Sequence, residues 1–127
     1  MGPESKGERE QLAGGSGEIT AKMEKVKITT RENAPGIPFN LDGRILYTSK
    51  ETEIVHLELK PGEKIESHAQ PFDVLFYAIE GEAFLLAGGK EFRIIAGSLA
   101  EVKTGLQRGW HNDSGAAFRV LVIKKMT

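Results

Sequence analysis

Residues Pro61 to Gly81 read PGEKIESHAQPFDVLFYAIEG. The stretch opens on a Pro-Gly turn signal, carries His68, one of three histidines in the protein, and closes on a Glu-Gly turn. That spacing predicts a hairpin with a polar site in it. His68 and Gln70 share parity, so an extended backbone sends both side chains to one face of the sheet. Past the break at Pro71, Val74, Phe76 and Ala78 fall on one face of the next strand, and Leu75, Tyr77 and Ile79 fall on the other. Both faces are apolar, which predicts a strand covered on both sides, as in a sandwich or barrel.

Working outward, the pattern is one of short strands separated by turns. Strands are expected at Arg44–Ser49, Thr52–Leu59, Lys64–His68, Val74–Glu80, Ala83–Ala87, Glu91–Ile95, Leu99–Val102 and Ala117–Lys125. A further short β-prone run is expected at Val26–Thr30. The separators are Asp-Gly, Pro-Gly, Glu-Gly, Gly-Gly, Ala-Gly and Ser-Gly, each a turn signal. Nothing after residue 22 has a helical period. Evenly spaced strands of this number predict an all-β, two-sheet antiparallel jelly roll or barrel.

The chain has 127 residues, of which 39% are hydrophobic, enough for one domain with a core that needs no staples. With no cysteine, a disulfide framework and a thiolate zinc site are both excluded. The formal net charge is -1, and Lys and Arg alternate with Glu, so a nucleic-acid footprint is missing. No apolar run approaches the roughly 20 residues that span a bilayer, and the polar N-terminus lacks a signal-peptide core. The expectation is a soluble cytoplasmic protein with no membrane or nucleic-acid partner. Residues 1–22, MGPESKGEREQLAGGSGEITAK, are Gly- and Glu-rich without a hydrophobic period and read as a flexible tail ahead of a domain at 23–127. Met23 is an alternative start, which would make the tail foreign to the native chain.

The glycines suggest more than a class. The chain resembles the cupins, small jelly-roll barrels (double-stranded β-helices) with a ligand or metal site in the barrel mouth. Their first motif, Gly-x5-His-x-His-x(3 or 4)-Glu-x6-Gly, has its spacing here in Gly62, His68, Gln70, Val74 and Gly81. Their second, Gly-x5-Pro-x-Gly-x2-His-x3-Asn, falls on Gly97, Lys103, Gly105, Arg108 and Asn112. The resemblance covers roughly Arg44 to Lys125 and is closest to single-domain cupins of unassigned function. It implies a homodimer, in which Tyr47 lies on a strand that pairs across the dimer in cupins, and the outer face with Leu75, Tyr77 and Ile79 is covered by the partner.

In metal-binding cupins, three histidines and a glutamate of these motifs converge on one divalent ion, and iron, manganese, zinc and nickel all suit that set. Of the four positions only His68 is retained. Gln70 is a weak neutral donor, Val74 offers no lone pair, and Arg108 is a permanent cation that repels a metal. His68 with His111 is the remaining metal pair. It requires a bulge at Gly109, because in an extended run Arg108 and Trp110 share one face and His111 takes the other. Otherwise His111 is a surface or turn residue beside Asn112. His56 shares a face with Ile54 and Glu58, opposite Val55, Leu57 and Leu59, and so reads as an outward or interface residue.

Arg108 offers a replacement for the metal's charge. A guanidinium in an apolar barrel is costly unless paired, and its fork suits a carboxylate or phosphate. The alternatives are a salt bridge with Asp73 or Glu101, or an Arg directed to solvent from the rim. The binding reading is a cavity for a small polar or anionic molecule, anchored by Arg108, His68 and Gln70 and walled by Val74, Phe76 and Trp110. The enzyme reading is a metal-dependent isomerase, decarboxylase or dioxygenase using His68 and His111. A third reading, a filled scaffold, follows if Phe76, Trp110 and Phe118 close the cavity.

Overall fold

The structure is a computed structural model and describes residues 25–126. The expected tail at residues 1–22 and the domain start at residue 23 lie outside the described residues. Alternating apolar side chains between turns give nine strands among the described residues. They are β1 (Asp42–Thr48), β2 (Thr52–Leu59), β3 (Lys64–His68), β4 (Asp73–Glu80), β5 (Glu82–Ala87), β6 (Lys90–Ile95), β7 (Leu99–Val102), β8 (Arg108–His111) and β9 (Phe118–Lys125). They form a five-stranded sheet in the order β1-β2-β9-β4-β7 and a four-stranded sheet in the order β3-β8-β5-β6. Every pairing is antiparallel. The fold is an all-β double-stranded β-helix, a jelly-roll barrel.

Two expectations need correction. Val26–Thr30 is β-prone but forms no strand, and residues 31–33 make a turn in which Thr30 N–H donates to Asn33 Oδ1 at 2.9 Å. Side chain and backbone satisfy each other locally there, in competition with a ladder. Conversely, Arg108–His111 is not expected as a separate strand, because RGWH is short and contains glycine, yet it pairs on both sides, with β3 and with β5.

The inner faces follow period two. Val55, Leu57 and Leu59 of β2, Phe118, Val120 and Val122 of β9, and Val74, Phe76 and Ala78 of β4 are buried in one core. On β4 the odd face is different: Tyr77 is 41% and Ile79 42% exposed, so the described residues do not cover the strand on both sides as its composition suggests. Among the described residues there is no helix long and apolar enough to cross a membrane.

All four motif glycines, Gly62, Gly81, Gly97 and Gly105, have φ between 81° and 90°, a backbone region that side chains disfavour. The requirement is strictest at Gly81, where an added Cβ would also lie 2.4 Å from the carbonyl oxygen of Ala117. The glycine spacing therefore marks turn geometry, which explains how it persists while the residues between the glycines change.

Candidate functional site

Between the two sheets lies a cavity of about 650 Å³, within the range of roughly 300–1,000 Å³ common for small-molecule sites. Its walls come from β2, β4 and β9 on one side and from β3 and β8 on the other. His68, Gln70, Val74, Phe76, Arg108 and Trp110 all line it, and His111 does not.

The end of the cavity away from the mouth is aromatic. Trp110 meets Phe76 edge-on at 5.1 Å and Phe118 at 5.0 Å between ring centroids. Phe118 has no exposed surface and lies behind Trp110, so the cluster makes a floor and leaves the space above it open. The filled-scaffold reading required the same three rings to close the cavity, and they do not. Beneath the floor Asn112, also fully buried, donates from Nδ2 to the carbonyls of Leu59 and Ala116, each at 2.9 Å. Its Oδ1 accepts from Ser114 N–H at 3.0 Å and from Ser114 Oγ at 2.7 Å. The asparagine of the second motif is thus a structural latch joining the β8–β9 turn to the end of β2.

At the mouth end stands Arg108, only 4% exposed. Its Nε donates to the carbonyl of Leu106 at 2.8 Å and its Nη2 to the carbonyl of Lys103 at 2.9 Å. Neither expected acid pairs with it. Glu101 is taken by Lys103 at 3.2 Å, and Asp73 Oδ1 accepts from the backbone N–H of Thr104 at 2.8 Å and from its hydroxyl at 2.9 Å. Among the described residues Arg108 has no carboxylate partner. Burial pushes its pKa below the ordinary arginine value, and the negative charge of Asp73 acts against that. An arginine remains protonated regardless, so the site keeps a desolvated cation whose hydrogen-bond partners among the described residues are carbonyl dipoles.

Those carbonyls belong to the loop between β7 and β8, which is pinned from the connection between β3 and β4. Gly105 N–H donates to the carbonyl of Gln70 at 3.0 Å, and Asp73 holds Thr104 as described. The segment that carries His68 and Gln70 therefore fixes the loop that positions Arg108.

His68 faces Arg108 across the β3–β8 ladder. Its Nδ1 lies 3.0 Å from the carbonyl oxygen of Glu66. A carbonyl can only accept, so Nδ1 carries the hydrogen, and in the neutral ring Nε2 keeps its lone pair. Parity alone does not put His68 on the cavity side together with Ile65. A bulge in β3 between these residues does so, and Gly109 lies opposite it. An added Cβ at Gly109 would sit 2.5 Å from the carbonyl oxygen of Ile65. The glycine thus accommodates a bulge in the neighbouring strand, while β8 keeps its own alternation and His111 stays on the face away from the cavity.

This arrangement does not fit a divalent metal. One imidazole, one amide, a valine and a buried guanidinium stand where donors would converge, and His68 and His111 are not brought together. Among the described residues no group of three or more His, Cys, Asp or Glu could hold such an ion. His56 is off the cavity, as its parity requires, but it is buried rather than exposed.

Sequence reasoning missed two cations of the lining, Lys64 and Lys124. Lys124 was legible by parity, since it continues the inner row of Phe118, Val120 and Val122 on β9. It pairs with Glu53 at 2.9 Å and lies over the ring of Phe72 at 5.8 Å. Lys64 adjoins Ile65, and both line the cavity; two consecutive residues doing so is not predicted by period-two alternation.

The comparisons agree with this architecture. No curated protein sequence matches the chain. Among solved structures, the protein TT1209 from Thermus thermophilus is 25% identical, with a TM-score of 0.65 over 72% of this chain and 89% of that one. A protein with a double-stranded β-helix domain from Klebsiella pneumoniae is 24% identical, with a TM-score of 0.67 over 77% and 88%. A predicted oxalate decarboxylase from Thermotoga maritima is 16% identical, with a TM-score of 0.70 over 79% and 99%, a likeness of fold alone. The family model of the cupin domain matches residues 55–124, more than half of the chain, and with the glycine frames and the barrel in place the chain belongs to the cupin family.

Proposed function

We propose that this cupin binds a small polar or anionic molecule in its cavity, with Arg108, His68 and Gln70 as polar anchors and Val74, Phe76 and Trp110 as walls. The observation that carries the reading is the buried guanidinium of Arg108, which has no carboxylate partner among the described residues. Carbonyl dipoles stabilise a cation less than a carboxylate does, so an anion entering the cavity gains a charge-assisted partner at a group already desolvated and oriented. The sheet's exposed outer residues Tyr47 and Tyr77 support a second proposal, a homodimer in which each copy covers that face of the other; sedimentation at several concentrations tests it, and a monomer throughout would contradict it.

The binding proposal is tested by thermal denaturation of the purified protein against a panel of organic anions, alongside elemental analysis after challenge with iron, manganese, zinc and nickel. Organic carboxylates are expected to raise the melting temperature, as any ligand selective for the native state must. About one equivalent of tightly held metal, lost in His68→Ala and His111→Ala, would favour the metal-dependent enzyme instead.

A further inference from the structure

The cavity's charges and its apolar surface are segregated along its length. On the five-stranded sheet the register of β2 with β9 runs from Leu59 opposite Phe118, through Val55 opposite Val122, to Glu53 opposite Lys124. The inner row therefore passes from fully buried aromatic and aliphatic groups at the floor to a lysine at the rim. On the facing sheet, β8 runs from Trp110 over the floor to Arg108 near the rim, opposite His68. Three cations line the cavity, Lys64, Arg108 and Lys124, and among the described residues no Asp or Glu does. Lys124 already has Glu53, whereas Lys64 and Arg108 have no carboxylate partner among the described residues.

From this polarity we infer that the occupant is an amphipathic organic monoacid, bound with its carboxylate at the rim beside Arg108 and its apolar body directed to the floor formed by Phe76 and Trp110. The inference rests on the anion-binding reading above and narrows it. A compact polyanion satisfies the rim but leaves the apolar floor without a partner. A neutral apolar molecule fills the floor but leaves Arg108 uncompensated. A diacid of the same length has to bury its second carboxylate against aromatic rings, where the buried indole N–H of Trp110, which has no hydrogen-bond partner among the described residues, offers one neutral donor against the desolvation of a full charge.

Octanoate, octanamide, suberate and oxalate separate these cases, and Trp110, the single tryptophan of the chain and part of the cavity wall, reports binding by its fluorescence. Octanoate is expected to bind about tenfold or more tighter than octanamide, because only the acid compensates the guanidinium. Suberate is expected to bind about tenfold or more weaker than octanoate. Shortening the acid weakens binding by about fourfold per methylene removed. In Arg108→Met most of the preference for the acid over the amide is expected to be lost. Should that variant fail to fold, Lys124→Met at the rim is expected to narrow the preference for acid over amide, and the wild-type ranking stands as a test without either variant.

Octanamide or suberate binding as tightly as octanoate would overturn the inference. Oxalate binding in the absence of octanoate binding would overturn it too, while leaving the anion site in place. Failure of every anion in the panel would remove both this inference and the reading beneath it.

Discussion

At the closed end of the barrel Asn112 has no exposed surface and every polar atom of its side chain is engaged, with Leu59, Ala116 and Ser114. At the open end Arg108 is almost as deeply buried but, among the described residues, its side chain is hydrogen-bonded to two backbone carbonyls alone. Both are polar groups placed in an apolar surrounding, at cost, by the same strand and its following turn. The difference lies in what compensates them. Asn112 is compensated from within the chain and so contributes to stability. Arg108 has no carboxylate partner among the described residues, which is the observation behind the proposal that it serves an anion from outside the chain.

The sharpest way to break this contrast is to empty the closed end. Phe118→Ala removes a fully buried ring that packs on Trp110 and is expected to cost about 4 kcal/mol, measured by urea denaturation. A loss below about 1 kcal/mol would mean that the floor is not the rigid base proposed here. Asn112→Ala removes the side-chain partner of the Leu59 carbonyl and of the Ser114 N–H, leaves the Ala116 carbonyl with the Ser114 hydroxyl alone, and is expected to cost about 3 kcal/mol. A neutral outcome for that variant would erase the distinction between the two ends.

A smaller effect separates Arg108 from the loop that positions it. The hydrogen bonds donated by Thr104, backbone first and then side chain, hold the Asp73 carboxyl below its ordinary value of 3.8, with lesser help from Lys103 and Lys125. A carboxylate depressed in the folded state contributes stability above its unfolded pKa and loses it as pH falls through the folded one. Wild type is therefore expected to lose stability on acidification below about pH 4, and Asp73→Asn to lose less over the same window. Equal acid slopes would remove Asp73 as the anchor of the loop. Because Asp73 is near the surface, the effect is small.

The two ends also differ in how legible they are in the sequence. The fold is legible because its punctuation is a backbone requirement: glycines with φ near 85° must recur where the turns recur, whatever the intervening side chains do. The positions His68, Gln70, Val74 and Arg108 are legible for the same reason, since the glycine frame locates them. Their surroundings are not. The β3 bulge that turns His68 inward depends on the close approach of Gly109 across the ladder, and nothing in either strand alone announces it. The carbonyl grip on Arg108 depends on a loop held by Asp73 and by the backbone of Gln70, contacts more than 30 residues apart in sequence. The expected salt bridge to Asp73 or Glu101 fails because Thr104 and Lys103 engage those acids instead. For Glu101 that partner lies two residues away along the chain, and local partners win when they order fewer residues.

The most direct test of the account compares Arg108→Met with wild type in thermal unfolding, each alone and with the carboxylate that most stabilises wild type. The account predicts that the unliganded variant stays within about 1 kcal/mol of wild type, because a costly buried cation is removed along with two carbonyl hydrogen bonds. It predicts that the carboxylate stabilises the variant markedly less than it stabilises wild type. A variant that the carboxylate stabilises as much as it does wild type would contradict the claim that Arg108 is the charge centre of the cavity.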